Sequence, residues 1–234
     1  MILSIIVPVF NEKETIIPLI DKILKAKISL EKQIIVVDDF STDGSLEIIN
    51  DNFKNYKEIT ILSHKKNQGK GAAINTARKY INGEIIIIQD ADLEYDPSDY
   101  ANLVEPIINQ NYEVVYGSRV LGKKRYSLKN FTSIYRIFFN HSLTILSNFL
   151  NNQKLTDAHT CYKVIHENIF KKIELEEKRF GFCPEVTTKI GNLKVKIFEV
   201  PINYYGRNYK QGKKISMKDG LRAIYCLFKY RFLS

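Results

Sequence analysis

The sequence predicts an α/β fold in which a mainly parallel sheet carries helices on both of its faces. Through residues 1–97, apolar runs of strand length alternate with stretches of helical length in the order βαβαβαβ. The apolar runs are nearly continuous and rich in β-branched residues, which is typical of parallel strands covered on both faces. Together these observations indicate a doubly wound sheet with right-handed crossovers.

The elements of this first part follow from local composition. Residues 2–9 form an apolar run that ends at Pro8 and a polar segment, which is too short to span a membrane and suits a buried first strand. Residues 41–45 (STDGS) mark a turn and a helix start, and the glycines at 68–71 precede a further helix. We expect strands at 2–9, 33–38, 59–63 and 84–89, and helices at 14–27, 45–53 and 72–82.

The second part of the chain is less regular. We expect helices at 98–109, 130–150 and 185–192, and strands at 113–116 and 195–200, the last ended by Pro201. No charge occurs between Arg136 and Lys154, but polar residues interrupt the apolar stretch, so helix 130–150 is expected at an interface or against the core. A last helix from Met217 has a basic face, which suits a membrane surface, a docking groove or packing on the core.

The chain reads as one domain over residues 1–234, because no internal repeat, linker or low-complexity tract divides it. Its first half, 1–120, carries most of the motifs, and its second half, 121–234, ends in a basic segment plus helices. Three distant cysteines without a Cys-x-x-Cys pair, and no secretory leader pattern, predict a reducing, cytoplasmic setting.

The positive charge is concentrated at one end of the chain. The formal net charge is +9, and residues 207–234 contain eight Lys or Arg against the single acid Asp219. Such a segment suits nucleic acid, an anionic membrane surface or a phosphorylated substrate, and composition does not choose among them. Tyrosines interleave with the cations, but no other segment resembles a nucleic-acid module, so we expect no nucleic-acid partner.

Acidic residues follow three of the predicted strands. Asp90 and Asp92 end the apolar run 86–89, Asp38 and Asp39 end the second strand, and residues 8–12 end the first. Ligands of such sheets bind outside the carboxyl ends of the strands, where these residues should meet. Carboxylate oxygens there suit Mg²⁺ or Mn²⁺ and a diphosphate, whereas no His or Cys cluster suggests zinc. The alternative is a pair of turn or helix-capping acids.

Two neighbouring segments suggest contacts with a nucleotide. Asp39 is placed to accept a hydrogen bond from a base or a ribose hydroxyl, although capping explains Ser41 and Asp43. Residues 68–73 (QGKGAA) precede a helix whose N-terminus favours an anion. They do not match the Walker A pattern, and the expected role of their glycines is a closely packed turn.

Several cations are candidates for binding phosphate. They are Arg119, Arg136, Arg207, Lys213 and Lys214. For any one of them the alternative is a solvated surface cation. The cluster from 207 to 214 has glycines interspersed, which predicts a basic loop that closes over phosphate.

The order of these motifs resembles the signatures of family 2 glycosyltransferases of the GT-A fold. Motifs in the second half are similar to those of the polyprenyl-phosphate branch of that family, which is dolichyl-phosphate mannosyltransferase-like. The similarity runs nearly from end to end. It is carried by SIIVPVFNE (4–12), IVVDD (35–39), GKG (69–71), DADL (90–93), GSR (117–119), TD to YK (156–163), GF to E (181–185) and EVPI to KK (199–214).

The resemblance implies roles for individual residues. Residues 1–120 would bind the nucleotide-sugar and the metal, and residues 121–234 the acceptor. Asp39 would contact the base, beside Pro8 and Glu12. Glu94 stands at the position where the mannosyltransferases have Gln, and it adds negative charge at the implied metal ion. The implied metal ligands are Asp90, Asp92 and Glu94, and the implied phosphate contacts are Arg119, Arg207 and Lys214. Lys70 is a further candidate for binding the cofactor.

The implied reaction is inverting transfer of a hexose from a UDP- or GDP-sugar to a polyprenyl (dolichyl or undecaprenyl) phosphate, with Asp92, Arg119 and Asp157 as catalytic candidates. A phosphate acceptor is already anionic near neutral pH and needs no general base. A saccharide hydroxyl acceptor, as in cell-surface glycan synthesis, would need one, and Asp157 is then the candidate. A binding module without turnover is the third reading.

The resemblance also bears on location. The long hydrophobic C-terminal extension of some relatives is absent from this sequence. We therefore expect peripheral contact at the cytoplasmic face of a membrane, or a membrane-protein partner.

Overall fold

A computed structural model describes residues 1–121, 134–207 and 217–233, and it describes the side chains of these ranges except those of residues 134–136 and 217. The strands are β1 (Ile2–Val9), β2 (Glu31–Asp38), β3 (Ile59–Ser63), β4 (Ile85–Ile88), β5 (Val114–Ser118), β6 (Lys163–His166) and β7 (Ile197–Pro201). The helices are α1 (Lys13–Lys25), α2 (Ser45–Phe53), α3 (Lys70–Ala77), α4 (Tyr100–Asn109), α5 (Ile134–Asn151), α6 (Glu167–Lys172), α7 (Phe182–Asn192) and α8 (Met217–Phe232).

The seven strands form one mixed sheet in the order β3-β2-β1-β4-β6-β5-β7. All neighbouring pairs are parallel except those of β6, which runs antiparallel to both β4 and β5. The predicted mainly parallel α/β class is confirmed, with helices around the sheet. β6 and α6 were not predicted, because β6 is only four residues long and its two partners are distant in sequence.

The first four strands agree with the prediction to within two residues at each end. The side chains of β1, of β4 and of the last five residues of β2 are almost fully buried, since neighbouring strands and helices cover both faces. β3 lies at the edge of the sheet and is only partly buried. The third helix differs from the prediction. α3 begins at Lys70 and ends at Ala77, and a short 3₁₀ turn follows to Tyr80, so the glycine-rich segment is part of the helix start.

Strand register explains how Pro8 fits inside a central strand. β1 pairs with β2 as far as Val9, opposite Asp38, but it pairs with β4 only as far as Ile6, opposite Ile88. The carbonyl of Ile6 accepts a hydrogen bond from Gln89 N, on the side of β1 that faces β4. The backbone nitrogen of Pro8, two residues later in the strand, points to the same side but lies beyond the end of β4. A residue without an N–H is tolerated there because no ladder partner needs its hydrogen.

The C-terminal helices pack together beside the sheet. α7 contacts α8, and α5 contacts both of them. Glu177, just before α7, accepts two hydrogen bonds from Arg222 of α8, at 3.1 and 2.7 Å. Within the described residues, no helix combines the length and the apolar character that crossing a bilayer requires.

Candidate functional site

The site lies at the carboxyl ends of β1, β2 and β4, as the sequence predicts. Immediately beyond each of these strands the chain turns through a non-glycine residue of positive φ, namely Asn11 (51°), Phe40 (66°) and Leu93 (59°). Left-handed backbone is costly for Phe and Leu, and such strain concentrates where a structure positions functional groups. These turns bring the acidic residues of three loops to one edge.

Asp90 and Asp92 are both partly exposed at this edge, but their charges are balanced differently. Asp90 pairs with the Lys70 ammonium, which also lies 3.3 Å from Cys161 Sγ. Asp92 Oδ2 lies 3.2 Å from Arg207 Nη2. Burial, together with the neighbouring charges of Asp90 and Glu94, raises the pKa of Asp92 to about 7. The two aspartates therefore form a site with excess negative charge.

Glu94 has internal partners for both carboxylate oxygens. Its Oε2 accepts from the Tyr204 hydroxyl at 2.7 Å, and its Oε1 accepts from Arg207 N at 2.6 Å. The same segments are joined again by the backbone, because Tyr205 N donates to Glu94 O at 2.8 Å. Glu94 thus ties the chain after β7 to the loop after β4, a role that the proposed metal ligation did not anticipate.

The side chains at this edge can be compared with the ligands that the predicted Mg²⁺ or Mn²⁺ would need. No group of three or more His, Cys, Asp or Glu side chains within the described ranges is arranged as a metal site, so the three-carboxylate ligand set is not assembled. Asp90 and Asp92 nevertheless offer hard oxygen donors. Burial, followed by the charges of Asp90 and Glu94, raises the pKa of Asp92, and a bound cation would stabilise its ionised form. Two carboxylates suit Mg²⁺ or Mn²⁺ when phosphate and water supply the other ligands.

Arg207 inserts into the acidic group. Its guanidinium makes two 3.0 Å hydrogen bonds to the carboxylate of Glu12, which is 8% exposed, and one of its nitrogens also reaches Asp92. Glu12 was expected to line a base pocket and Arg207 to meet phosphate. In this structure Glu12 and Arg207 form an ion pair with each other. Lys213 and Lys214, the rest of the predicted basic loop, lie outside the described residues, as does the side chain of Arg136.

Asp39 is engaged by the loop between β3 and α3. Its carboxylate accepts from the backbone N–H groups of Gln68 and Gly69, at 2.8 and 2.6 Å, and from Asn67 Nδ2 at 2.9 Å. His64 Nδ1 lies 2.7 Å from Asp39 Oδ1. Asp39 is 2% exposed, so it organises this loop. The predicted contact with a nucleotide base stays a prediction.

The glycines beside Lys70 are closely packed, which confirms the expected role. A Cβ at Gly69 would lie 2.5 Å from Lys178 O, and one at Gly71 only 1.9 Å from Glu177 O. The start of α3 is thereby held against the chain before α7, and Ala72 N donates to Lys178 O at 3.0 Å. This packing fixes the position from which Lys70 reaches Asp90.

A second group of charges lies after β5. Arg119 donates from Nε and Nη2 to the two oxygens of Asp157, at 2.7 and 2.8 Å, and its backbone N–H donates to the same carboxylate. Burial opposes the charge of Asp157, but the guanidinium outweighs it and the pKa of Asp157 is lowered. The N–H groups of Thr156 and Asp157 donate to Glu199, which fixes the turn.

The Arg119 and Asp157 pair lines a small, partly open pocket on the surface. The bidentate pair uses Nε and Nη2, and Arg119 Nη1 makes no hydrogen bond to a described residue. An anion entering the pocket can therefore meet a buried guanidinium. The remaining lining residues are Val120, Ile137, Asn140, Thr144 and Thr156.

Tyr204 connects the pocket to the acidic edge of the sheet, where Asp90, Asp92 and Glu94 lie. The guanidinium carbon of Arg119 lies 5.2 Å from the centre of the Tyr204 ring, whose hydroxyl bonds Glu94. Tyr95 packs edge-on against Tyr204, with ring centres 5.1 Å apart. One aromatic ring thus separates the pocket from the carboxylates.

Three residues of the site were missed in the sequence. His64 follows β3 without any motif, and Tyr204 follows a predicted strand, but nothing local shows that its hydroxyl bonds Glu94. Glu199 belongs to a motif, but nothing local shows that it holds residues 156 and 157. Only the sheet order brings these residues to the site.

Comparison with known proteins shows the family of the chain. The model of the family described as "Glycosyl transferase family 2" matches residues 4–174. Dolichyl-phosphate beta-glucosyltransferase ALG5A of Trichomonas vaginalis is 28% identical, over 97% of this chain and 72% of that protein. UDP-N-acetylglucosamine--dolichyl-phosphate N-acetylglucosaminyltransferase of Methanococcus voltae is 26% identical, over 97% of this chain and 94% of that protein.

Solved structures share the fold. Glucosyl-3-phosphoglycerate synthase from Mycobacterium tuberculosis, crystallised with Mn²⁺, uridine diphosphate and glucosyl-3-phosphoglycerate, superposes with a TM-score of 0.74. The alignment covers 99% of this chain and 80% of that chain at 17% sequence identity. At this identity the likeness establishes the architecture alone.

Proposed function

The chain belongs to glycosyl transferase family 2, and from that premise we propose that it transfers a sugar from a nucleoside diphosphate sugar to a polyprenyl phosphate. The observation that carries this proposal is the single ring, Tyr204, between the Arg119 pocket and the acidic edge. A phosphate bound at Arg119 would lie beside a sugar whose diphosphate is bound at Asp90 and Asp92. The acceptors named for the two relatives, dolichyl phosphates, support the choice.

The donor would bind across the ends of β1, β2 and β4. Asp90 and Asp92 are the residues that would hold Mg²⁺ or Mn²⁺, which, when bound, neutralises charge on the leaving diphosphate. Among the described residues, Lys70 pairs with Asp90 and Arg207 with Asp92. Arg207 is positioned to exchange part of its contact with Asp92 for a phosphate oxygen. The nucleotide, UDP or GDP, would lie towards Asp39 and Pro8.

The acceptor phosphate would attack without a base. One of its oxygens forms a bond to the anomeric carbon as the bond from that carbon to the diphosphate oxygen breaks, and the diphosphate leaves with the electron pair. Attack from the side opposite the leaving group inverts the configuration. The protein's contribution is alignment and charge, because the phosphate is already ionised. Arg119 would hold it, and Asp157 would orient Arg119.

This arrangement favours phosphate over a saccharide hydroxyl as the acceptor. A hydroxyl needs a general base, and Asp157 was the candidate. Both oxygens of Asp157 are bound by Arg119, and its pKa is lowered, which makes it a weak base. The retained carboxylates at the acidic edge likewise favour an enzyme over a module that only binds.

We further propose that the protein acts as a peripheral protein at the cytoplasmic face of a membrane. A long polyprenyl tail stays in the bilayer, so an enzyme that uses its phosphate must work at that surface. The dolichyl-phosphate substrates named for the relatives support this location.

Two assays test the proposed function. A thermal-shift screen of UDP- and GDP-sugars with Mn²⁺ ranks the donors, because a ligand stabilises the folded state in proportion to its binding. The preferred donor is then offered to polyprenyl phosphate and to saccharide acceptors, and products are detected by mass spectrometry. A sugar joined to the lipid through a phosphodiester is expected. A product on saccharides alone would refute the acceptor assignment.

A further inference from the structure

Lys163 is a buried lysine without an acidic partner among the described residues. It is the first residue of β6, its side chain is 0% exposed, and it forms no ion pair with any described residue. Taking an ammonium group out of water is costly unless other groups compensate its charge. Sugar transfer as proposed uses Arg119 and Asp157 but assigns nothing to this cation.

Two contacts hold the ammonium group of Lys163. Its Nζ donates to the carbonyl of Ala158 at 2.9 Å and lies 3.7 Å from the centre of the Tyr116 ring. The face of an aromatic ring attracts a cation. The Tyr116 hydroxyl is fixed in turn, because it lies 3.0 Å from Thr187 Oγ1 of α7. The amine therefore has a defined position between β5 and the chain before β6.

The carbonyl that Lys163 holds belongs to the turn that forms the Arg119 pocket. Ala158 directly follows Asp157, and its N–H donates to Thr144 Oγ1 at 3.4 Å. Asp157 and Thr144 both line the pocket. Lys163 thus fixes this turn from its buried side, one peptide unit behind the carboxylate that orients Arg119.

Strand register places a carboxylate in the same row as Lys163. Tyr116 of β5 pairs with Lys163 of β6 and with Glu199 of β7. Residues paired across neighbouring strands point to the same face of a sheet, so these three side chains share one face. Glu199 accepts from the N–H groups of Thr156 and Asp157, at 2.7 and 3.0 Å. Lys163 and Glu199 therefore hold the same turn, one through a carbonyl and the other through N–H groups.

Lys163 balances the charge around the pocket. Asp157 and Glu199 are two carboxylates at the turn, and Arg119 offsets only one of them. With Lys163 protonated, the four groups are neutral together. Without that proton they carry an excess negative charge, which opposes an incoming phosphate.

The other titratable groups near Lys163 are a histidine, a tyrosine and two thiols. Burial lowers the pKa of His159 to about 4, so its ring is neutral at pH 7. Burial raises the pKa of the Tyr116 hydroxyl and of the Cys161 thiol, which keeps both protonated. Cys183 of α7 is the second thiol. None of these four residues supplies a positive charge that could replace that of Lys163 at pH 7.

The charge balance depends on pH. Burial is the main cause that lowers the pKa of Lys163 to about 8 from its usual 10.5. The amine is therefore mostly charged at pH 7 and mostly neutral at pH 9. A phosphate in the pocket favours the charged form, so phosphate binding and protonation of Lys163 should strengthen each other.

We propose that Lys163 is a positioning residue of the acceptor pocket, which fixes the turn behind Asp157 and supplies the positive charge that lets Arg119 bind a phosphate monoester. This inference rests on the proposed function, because it concerns the phosphate acceptor. Lys163 acts through the turn and through its charge, from behind the wall of the pocket.

Acceptor binding by Lys163→Met tests the role of the charge. Methionine fills a buried site of similar length, and it removes a charge that has no ion-pair partner among the described residues, so the melting temperature should not fall. At pH 7 the Kd for a short, water-soluble prenyl monophosphate, measured by calorimetry, should rise about tenfold. The KM for the acceptor should rise equally, whereas kcat and the KM for the donor should stay within about twofold.

A matched control uses a second lysine that lies over a tyrosine ring. Lys196 is exposed, and its Nζ lies 5.6 Å from the centre of the Tyr112 ring. Lys196→Met should bind the prenyl monophosphate like wild type. A lower melting temperature and kcat in Lys163→Met, with the acceptor Kd unchanged, would make Lys163 a residue of the core alone and overturn the proposal.

The pH dependence of wild type tests the proposal without any variant. The acceptor Kd should rise about fivefold from pH 7 to pH 9, as Lys163 loses its proton. In protein labelled with ¹³C at lysine Cε, one resonance should titrate near pH 8, and its pKa should rise when the prenyl monophosphate is added. A constant Kd, or a titration that ignores the ligand, would overturn the proposal. So would a pH dependence that persists in Lys163→Met.

Binding and turnover separate this inference from the proposed function. Arg119→Gln should weaken binding of the prenyl monophosphate at pH 7 and at pH 9, and unchanged binding would overturn the inference because the phosphate would lie elsewhere. If the ligand binds as expected but receives no sugar, the proposed function fails and the role of Lys163 in phosphate binding stands. Normal transfer with a Kd that does not depend on Lys163 would leave the function and refute the inference.

Discussion

Arg207 and Glu12 form a two-point ion pair, with Nη1 to Oε2 and Nη2 to Oε1 both at 3.0 Å, although 195 residues separate them in the sequence. The same guanidinium lies 3.2 Å from Asp92. A fixed cation thus occupies part of the acidic edge to which a metal ion and a diphosphate are assigned.

Replacing Arg207 should therefore raise the affinity for Mn²⁺ and lower the turnover. In Arg207→Gln the cation that competes for Asp92 is gone, so Mn²⁺ affinity without donor should rise about fivefold, as expected for about 1 kcal/mol of ion pairing. Turnover should fall about 100-fold through loss of a phosphate contact. Mn²⁺ is measured by electron paramagnetic resonance. Arg231→Gln removes a cation that donates to Asn192, away from the acidic edge, and is the matched control. Weaker Mn²⁺ binding in Arg207→Gln would contradict this explanation.

Glu94 and Asp92 should differ as metal ligands. Both oxygens of Glu94 have protein partners, so Glu94→Gln should change Mn²⁺ affinity by less than about threefold while keeping an acceptor for Tyr204. Asp92→Asn should weaken Mn²⁺ binding by about 30-fold or more, because a ligand charge is lost. The two affinities are compared in the same titration. Equal losses would restore Glu94 as a ligand.

Asp157 should act through Arg119 and not as a base. Asp157→Asn leaves a buried guanidinium without its counter-charge, so the free energy of unfolding should fall by about 3 kcal/mol. The KM for the acceptor should rise about tenfold, and the shape of the pH profile of kcat should stay as in wild type. If the acidic limb of that profile disappears while the stability is unchanged, Asp157 is the base after all.

His159 should make stability depend on pH. Burial and the nearby cation of Lys163 lower the pKa of His159 to about 4 from its usual 6.5. Between these values the unfolded chain holds a proton that the folded protein does not, so acid favours unfolding. The free energy of unfolding should drop by about 2 kcal/mol from pH 7 to pH 4.5 through this residue. Urea titrations of wild type and His159→Asn measure it, and an identical pH slope in both would exclude His159 as the cause.

Gly71 should be required for the start of α3. Its added Cβ would lie 1.9 Å from Glu177 O, a backbone atom that cannot move without shifting the chain before α7. Gly71→Ala should lower the free energy of unfolding by about 3 kcal/mol. Asn75→Ala, exposed on the same helix, should change it by less than about 0.5 kcal/mol. Denaturant unfolding of both compares them, and similar stabilities would mean that this contact relaxes at little cost.

Local pattern predicted β1 to β4 because each is an apolar run long enough to stand out from its surroundings. It also predicted that Asp39, Asp90 and Asp92 share one edge, since parallel strands end together. It did not predict β6, whose few residues pair antiparallel with strands far away in sequence. The same limit applies to the site, where the partners of Glu94, Asp39 and Arg207 come from distant loops and depend on strand order.

Asp90 and Asp92 are proposed to bind the metal ion that a sugar transfer to polyprenyl phosphate requires. The most direct test of this role is mass spectrometry of the lipid product made by wild type and Asp92→Ala, with and without Mn²⁺, using the donor selected by thermal shift. Wild type should yield sugar phosphoryl-polyprenol only with the metal, and Asp92→Ala should yield about 1,000-fold less. Equal product from Asp92→Ala, or from wild type stripped of divalent cations, would contradict the claim.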